Sequence, residues 1–191
     1  MQKDNFSGTE FWSSGANSVA VSNPVAQIRD DGNFIVREAS GNGYQAWQSY
    51  DVPTDTILPG MRFCRSTAGG FNINLTAWTS LSDPAPGDYV LGVDMDGVPE
   101  EFLWAGMQPL WRSGPWTGLY LSGVPQMGQE NLVEYHYEPA TPQQFVYSYT
   151  VRDSSFLSRI TLNSSGQRSS IRSHGSLRHR GGPNAICSPN S

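Results

Sequence analysis

Gln144-Phe145-Val146-Tyr147-Ser148-Tyr149-Thr150-Val151 decides the fold class of this 191-residue chain. Phe145, Tyr147, Tyr149 and Val151 fall on one side of an extended backbone, and Ser148 and Thr150 fall on the other. That is the period-2 alternation of a strand with one buried face. Phe156 to Leu162 repeats it, with Phe156, Ile160 and Leu162 inward and Arg159 and Thr161 outward. Asp153-Ser154-Ser155 between the two runs has turn chemistry, so an antiparallel hairpin is expected. A second hairpin is predicted from Tyr89 to Trp104, with Asp96-Gly97 supplying positive φ at its tip. A third strand, Asn33 to Glu38, is entered through the turn Asp30-Asp31-Gly32. No stretch combines helical periodicity with caps. The expectation is an all-β chain of short strands, with at most a turn or two of 3-10 helix.

Composition points the same way, because 20 Gly and 13 Pro punctuate strands and break helices. No window holds 18 consecutive apolar residues, so no membrane-spanning helix is predicted. Met1 to Glu10 is polar and lacks an apolar signal region, and the start of a secreted precursor is therefore expected to be missing. A formal charge of -5 argues against a nucleic-acid partner. The charge is unevenly spread: all 17 acidic residues precede Arg168, while Arg168 to Ser191 holds four Arg, two His and no acid. That tail also lacks Trp, Tyr and Phe, can bury little, and is expected to be disordered. Cys64 and Cys187 are too few for a disulfide framework and are expected to be two unrelated thiols, with a mutual bridge left open.

Three further runs carry a family signature. They are Trp47-Gln-Ser-Tyr-Asp-Val-Pro-Thr-Asp-Thr-Ile-Leu-Pro-Gly-Met61, Ala77-Trp78-Thr79-Ser80 leading to Asp83-Pro84, and Leu110-Trp111-Arg112-Ser113-Gly114-Pro115-Trp116. In this order and spacing they resemble the S-domain of plant S-locus glycoproteins and S-domain receptor-like kinases. The likeness covers roughly Phe11 to Gln167. It implies two successive bulb-type lectin domains of the β-prism type, followed by a small cysteine-rich, EGF-like module. On that comparison residues 1–61 form the C-terminal part of an incomplete first lectin domain, with Trp12-Ser13-Ser14 and Asp30 to Ile35 matching family elements. Residues 62–168 form the second lectin-like region and the S-locus glycoprotein domain. Residues 169–191 are a degraded start of the cysteine-rich module, opening at Gly182-Pro183-Asn184-Ala185-Ile186-Cys187. Between Gln167 and Gly181 the family's Trp-containing strand and cysteines give way to Ser, Arg and His. A frameshift, splice error or deletion is the expected cause, and without its disulfides the module is not expected to form.

Sugar binding is the first chemistry the resemblance implies. Bulb lectins grip mannose with Gln-x-Asp-x-Asn-x-Val-x-Tyr on one strand, and Arg29, Asp31, Asn33, Ile35 and Arg37 occupy those places here. Asp31 and Asn33 are kept, but two cations replace the Gln and Tyr. Sugar hydroxyls need balanced donors and acceptors, so the plainer reading, a turn feeding a strand, is preferred. Asn5, Asn74 and Asn163 open N-x-Ser/Thr sequons and are candidate glycosylation sites in a secreted protein.

Catalytic and cofactor chemistry finds less support. His136 reads as a strand residue on the solvent face, and His174 and His179 lie in the anomalous tail. No nucleophile elbow is present. Glu100-Glu101 and Asp94/Asp96 near a hairpin tip read as solvated charge rather than as a glycosidase pair. Asp94-Met95-Asp96-Gly97 lacks the rest of a calcium loop, and His174, His179 and Cys187 are too few for zinc. No cofactor or metal is expected. Trp47, Trp78, Trp104, Trp111 and Trp116 read as core anchors before sugar platforms. Asp51, Thr54, Asp55 and Thr56 are expected to tie their loop to its own backbone, stiffened by Pro53 and Pro59.

The expected function is therefore that of a non-catalytic extracellular recognition module. By the resemblance it serves pollen recognition in self-incompatibility, or cell-surface perception, with a secreted peptide or protein or a glycan as ligand. Homo- or hetero-dimers with S-domain receptors and an extracellular or plasma-membrane location belong to the same implication. A stand-alone mannose-binding lectin and a non-functional truncated product are the alternatives.

Overall fold

The computed structural model describes residues 21–40, 45–68, 70–129, 131–141 and 143–174. Its N-terminal sheet holds β1 (Pro24–Ile28), β2 (Phe34–Glu38) and β3 (Gln45–Gln48), paired in that order. A 3-10 turn, Ser49–Asp51, leads from it into a larger body. The body's strands are β4 (Thr56–Ile57), β5 (Phe63–Ser66), β6 (Phe71–Asn72), β7 (Leu75–Ser80), β8 (Asp83–Asp94), β9 (Glu100–Ala105) and β10 (Gln108–Arg112). After a second 3-10 turn, Pro125–Gln129, follow β11 (Val133–Thr141), β12 (Gln144–Val151), β13 (Phe156–Leu162) and β14 (Arg168–His174). They make three antiparallel sheets of order β14-β13-β4, β11-β12-β5-β6 and β10-β9-β8-β7. The chain enters these sheets and leaves them in reverse order, so its middle hairpins are nested inside its ends. The fold is all-β, as the alternation predicts.

The inward faces of the three sheets meet in one core. Phe63, Phe145, Tyr147 and Tyr149 come from the β11-β12-β5-β6 sheet, and Leu75, Ala77, Leu91 and Val93 from the β7–β10 sheet. Ile57, Ile160 and Leu162 complete it from the third. Burying each large side chain contributes roughly 2–3 kcal/mol before the entropy of ordering it is counted.

Two expectations about pairing fare differently. The β8–β9 hairpin forms as read, with Val90 opposite Trp104, Asp94 opposite Glu100, and Gly97 at φ 93 in the tip. Gln144–Val151 and Phe156–Leu162, by contrast, do not pair with each other. β12 lies between β11 and β5, while β13 lies between β14 and β4. Alternation reports a buried face and is silent about edges. Asp153 accepts from Ser155 N (2.9 Å) through its carboxylate and from Phe156 N (3.0 Å) through its carbonyl, turning the chain from one sheet into the next.

Three more readings are corrected. The segment expected to be disordered begins with β14, which pairs with β13 from Leu162↔Arg168 to Phe156↔His174. Cys64 is fully buried and disulfide-bonded, where a free thiol was expected; the chain's other cysteine, Cys187, lies outside the described residues. None of Trp47, Trp78, Trp104, Trp111 and Trp116 is fully buried, and Trp111 is 36% exposed. The largest fully buried side chains are Tyr and Phe, while Trp116 packs half-buried against that core. Asn5, His179 and the Gly182–Cys187 run also fall outside the described residues.

Candidate functional site

At the turn into β2 the two retained positions of the mannose pattern are spent on the protein itself. Asn33 is 3% exposed. Its Nδ2 donates to Gln48 Oε1 at 2.8 Å, and its Oδ1 accepts from the Ser49 hydroxyl at 3.2 Å. Ser49 Oγ in turn accepts from Phe34 N at 2.9 Å. Asp31 Oδ1 caps Asn33 N at 2.9 Å, and Asp31 Oδ2 faces Arg29 Nε at 3.6 Å. The Tyr50 hydroxyl closes the corner, donating to Asp31 O at 2.5 Å. Burial, with the Asp31 charge behind it, holds the Tyr50 phenol well above its usual range and keeps it a donor. Ile35 is buried, and the Arg37 guanidinium lies 3.5 Å from Glu38 O. Asp31 and Asn33 thus form a joint between the N-terminal sheet and the loop that follows it.

The Trp47–Met61 run carries that joint into the body. Gln48 Nε2 donates to Asp51 Oδ1 at 2.8 Å, offsetting in part the upward push that burial gives the Asp51 carboxyl. Asp55 Oδ1 accepts from the hydroxyls of Thr54 (3.3 Å) and Thr56 (3.0 Å). Main-chain bonds then reach outward: Thr76 N donates to Thr54 O (2.8 Å), Leu162 N to Asp55 O (2.8 Å) and Gly60 N to Tyr149 O (2.9 Å). The loop is tied to three neighbouring strands and not only to itself. Sequence reasoning identified its residues but placed their partners too locally.

A second polar centre was missed. Glu101, read as solvated charge, is 1% exposed in β9 and receives Arg168 Nη1 of β14 at 3.1 Å. Burial raises the Glu101 carboxyl, and the facing guanidinium opposes that shift. Burial works most strongly against the Arg168 charge, but Glu101 together with the Tyr147 and Tyr135 phenols outweighs it and holds the guanidinium above its ordinary value. The fully buried Tyr147 belongs to the same centre, its phenol raised by burial and relieved in part by Arg168. Strands from all three sheets meet here.

The Leu110–Trp116 run holds Glu101 in place. Glu101 N donates to Ser113 Oγ (2.9 Å), and Ser113 N donates back to Glu101 O (2.8 Å). Gly114 needs to be glycine, since φ is +65 and a Cβ would sit 2.1 Å from Ser122 Oγ. Trp116 stacks on Tyr137 at 5.5 Å. Beside this centre opens a cleft of about 460 Å³, whose walls include Leu91, Leu103, Trp111, Val124, Tyr135 and Arg168. It is largely apolar with one guanidinium at its edge, a surface suited to binding rather than to proton transfer. His136 lies on the opposite side of β11 from the core, 3.0 Å from Thr150 Oγ1.

Comparison with known proteins gives this architecture its relatives. Residues 2–79 match the D-mannose binding lectin family, and residues 111–180 match the S-locus glycoprotein domain. The chain is 36% identical over 163 residues to the receptor-like serine/threonine-protein kinase SD1-8 of Arabidopsis thaliana, covering 84% of this chain and 19% of that protein. It is 37% identical over 144 residues to the S-locus-specific glycoprotein S6 of Brassica oleracea, covering 74% of this chain and 33% of the relative. The G-type lectin S-receptor-like serine/threonine-protein kinase SRK of Arabidopsis thaliana is 35% identical over 163 residues, with 84% and 19% covered. The chain therefore spans about a fifth to a third of the length of these relatives. With both domain types present in order and this level of identity over most of the chain, the chain belongs to the S-domain family of S-locus glycoproteins and G-type lectin S-receptor-like kinases.

Proposed function

We propose that this chain is a non-catalytic recognition module at the plant cell surface. It binds a secreted peptide or protein, or a glycan, in pollen recognition or in perception of another surface ligand. Pairing with an S-domain receptor, as a homo- or hetero-dimer, fits the same role. The observation that carries the reading is the succession of a lectin-type and an S-locus glycoprotein segment on one chain. The internal use of Asp31 and Asn33 weighs against the stand-alone mannose lectin, since a sugar there would have to break the joint to gain partners. The division into residues 1–61, 62–168 and 169–191 belongs to this proposal. Biolayer interferometry against pollen-coat protein fractions and against a high-mannose glycan tests it. Saturable binding to a protein fraction with none to the glycan supports recognition. Glycan binding abolished by Asn33→Ala would transfer the role to a lectin.

A further inference from the structure

Two buried side chains face away from the core. Phe145, Tyr147 and Tyr149 of β12 point inward, and Phe63 of β5 joins them, so alternation sends Val146 and Cys64 to the outer face of the β11-β12-β5-β6 sheet. The ladder sets these two directly opposite each other. Neither belongs to the core between the sheets, yet Val146 is 1% exposed and Cys64 0%. Ser66, next along β5 on the same side, is buried as well. Their ladder neighbours on that face are polar: Gln144 and Ser148 on β12, and Glu138 on β11. Arg62 Nη2 meets Glu138 Oε2 at 2.7 Å, and Arg152 Nε lies 3.8 Å from Glu134 Oε2. These charges cancel pairwise, so the face offers little electrostatic hold to a passing segment.

The sulfur identifies what closes this patch. Cys64 is disulfide-bonded, and the sequence holds one other cysteine, Cys187. Cys64 sits on an inner strand, with β12 on one side and β6 on the other, so its partner approaches over the outer face. β14 ends at His174, opposite Phe156, and Phe156 is separated from Val146 by the end of β12 and the Asp153 turn. The thirteen residues from Gly175 to Cys187 reach roughly 43–47 Å when extended, enough to return from β14 to β5. We infer that Cys64 is bonded to Cys187, and that the acid-free C-terminal segment is thereby strapped across the outer face of β5 and β12, sealing Val146 and Ser66 from water and from other chains. The bond forms by exchange with a small disulfide. The Cys187 thiolate attacks one sulfur of that oxidant and expels the other as a thiolate. The Cys64 thiolate then attacks the Cys187 sulfur and expels the second half. Two cysteine thiols are oxidised, one disulfide is reduced to two thiols, and the two protons pass to the leaving groups. The closed loop, from Cys64 to Cys187, spans most of the body, so the bond removes much chain entropy from the unfolded state. Such a bond persists in an oxidising compartment, and the inference rests on the extracellular placement proposed above.

Oxidised glutathione applied to the purified full chain tests the pairing apart from the chain's native location. Tryptic digestion without reductant is expected to yield Phe63–Arg65 linked to Gly181–Ser191, from a monomer. Cys187→Ser is expected to lower Tm by about 5–15 °C. In the folded variant a maleimide should reach Cys64 within minutes, because the strap no longer covers it. Should the variant not fold, wild-type protein reduced under native conditions gives the same reading, with both cysteines labelled and the β-sheet circular dichroism retained. Cysteines recovered as free thiols or glutathione adducts after oxidation overturn the pairing, and so does Cys187 linked to a second chain. A Cys64 that stays inert until urea unfolds the protein overturns the strap, since the sheet alone then buries it. If the linked peptide forms with glutathione while chain recovered from the plant cell wall space carries free thiols, the pairing stands and the extracellular placement fails.

Discussion

Between Pro24 and Gln48 only Asn33 and Ile35 are buried among the described residues, whereas β12 alone buries Phe145, Val146, Tyr147 and Tyr149. All five residues of β1 are exposed, with Ile28 at 72%. The two regions share antiparallel pairing, yet different forces hold them. The body is held by apolar burial between three sheets. The N-terminal sheet is held by a hydrogen-bonded corner in which Asn33, Ser49, Tyr50 and Asp31 satisfy one another. Such a corner fixes orientation well but adds little free energy, about 1 kcal/mol per bond net of water.

The largest effect belongs to the body. Phe145→Ala is expected to lose about 3–5 kcal/mol, with tryptophan fluorescence and far-ultraviolet circular dichroism falling together in urea. Separate transitions for the two probes would show that the three sheets do not share one core. Arg168→Ala comes next, at about 2–4 kcal/mol, because it strands a buried carboxylate; the partial exposure of the arginine keeps the loss toward the lower figure. The paired replacement Glu101→Leu with Arg168→Met should recover most of that loss. Failure to recover would mean that the ion pair, and not the burial around it, sets the position of β14.

Glu101 also gives the body a pH signature. Its carboxyl is raised in the fold by burial, so the folded state holds its proton more tightly than the unfolded chain. The stability this proton linkage adds is fully present below about pH 4.5 and is lost as pH rises through the raised folded value. Relative to Glu101→Gln, the wild-type protein should therefore lose stability between pH 4.5 and neutrality, as read by urea midpoints across that range. The opposite slope would mean that attraction to Arg168 outweighs the loss of hydration.

The faces of the fold were legible in sequence and its edges were not. Phe145, Tyr147 and Tyr149, the β8–β9 hairpin and the Asp30–Gly32 turn into β2 all follow from alternation and turn chemistry. The partners of β12 and β13 do not, because a strand's period says nothing about what lies beside it. Glu101 was readable in part: it shares the inward side of β9 with Leu103, and the usual preference of carboxylates for water concealed it. Its partner could not be read, since Arg168 lies 67 residues away in a segment whose composition argues for disorder. Asp31 and Asn33 were visible as a motif, but their partners Gln48 and Ser49 come together with them only in the fold.

Hydrogen exchange on the wild-type protein and on Asn33→Ala tests the polar corner most directly. The variant loses the Gln48 and Ser49 bonds, worth about 1–2 kcal/mol together. Amides from Pro24 to Gln48 should lose protection while those of β5, β8, β12 and β13 keep theirs. Protection lost equally across both regions would contradict the account, and would make the N-terminal sheet part of the same cooperative core.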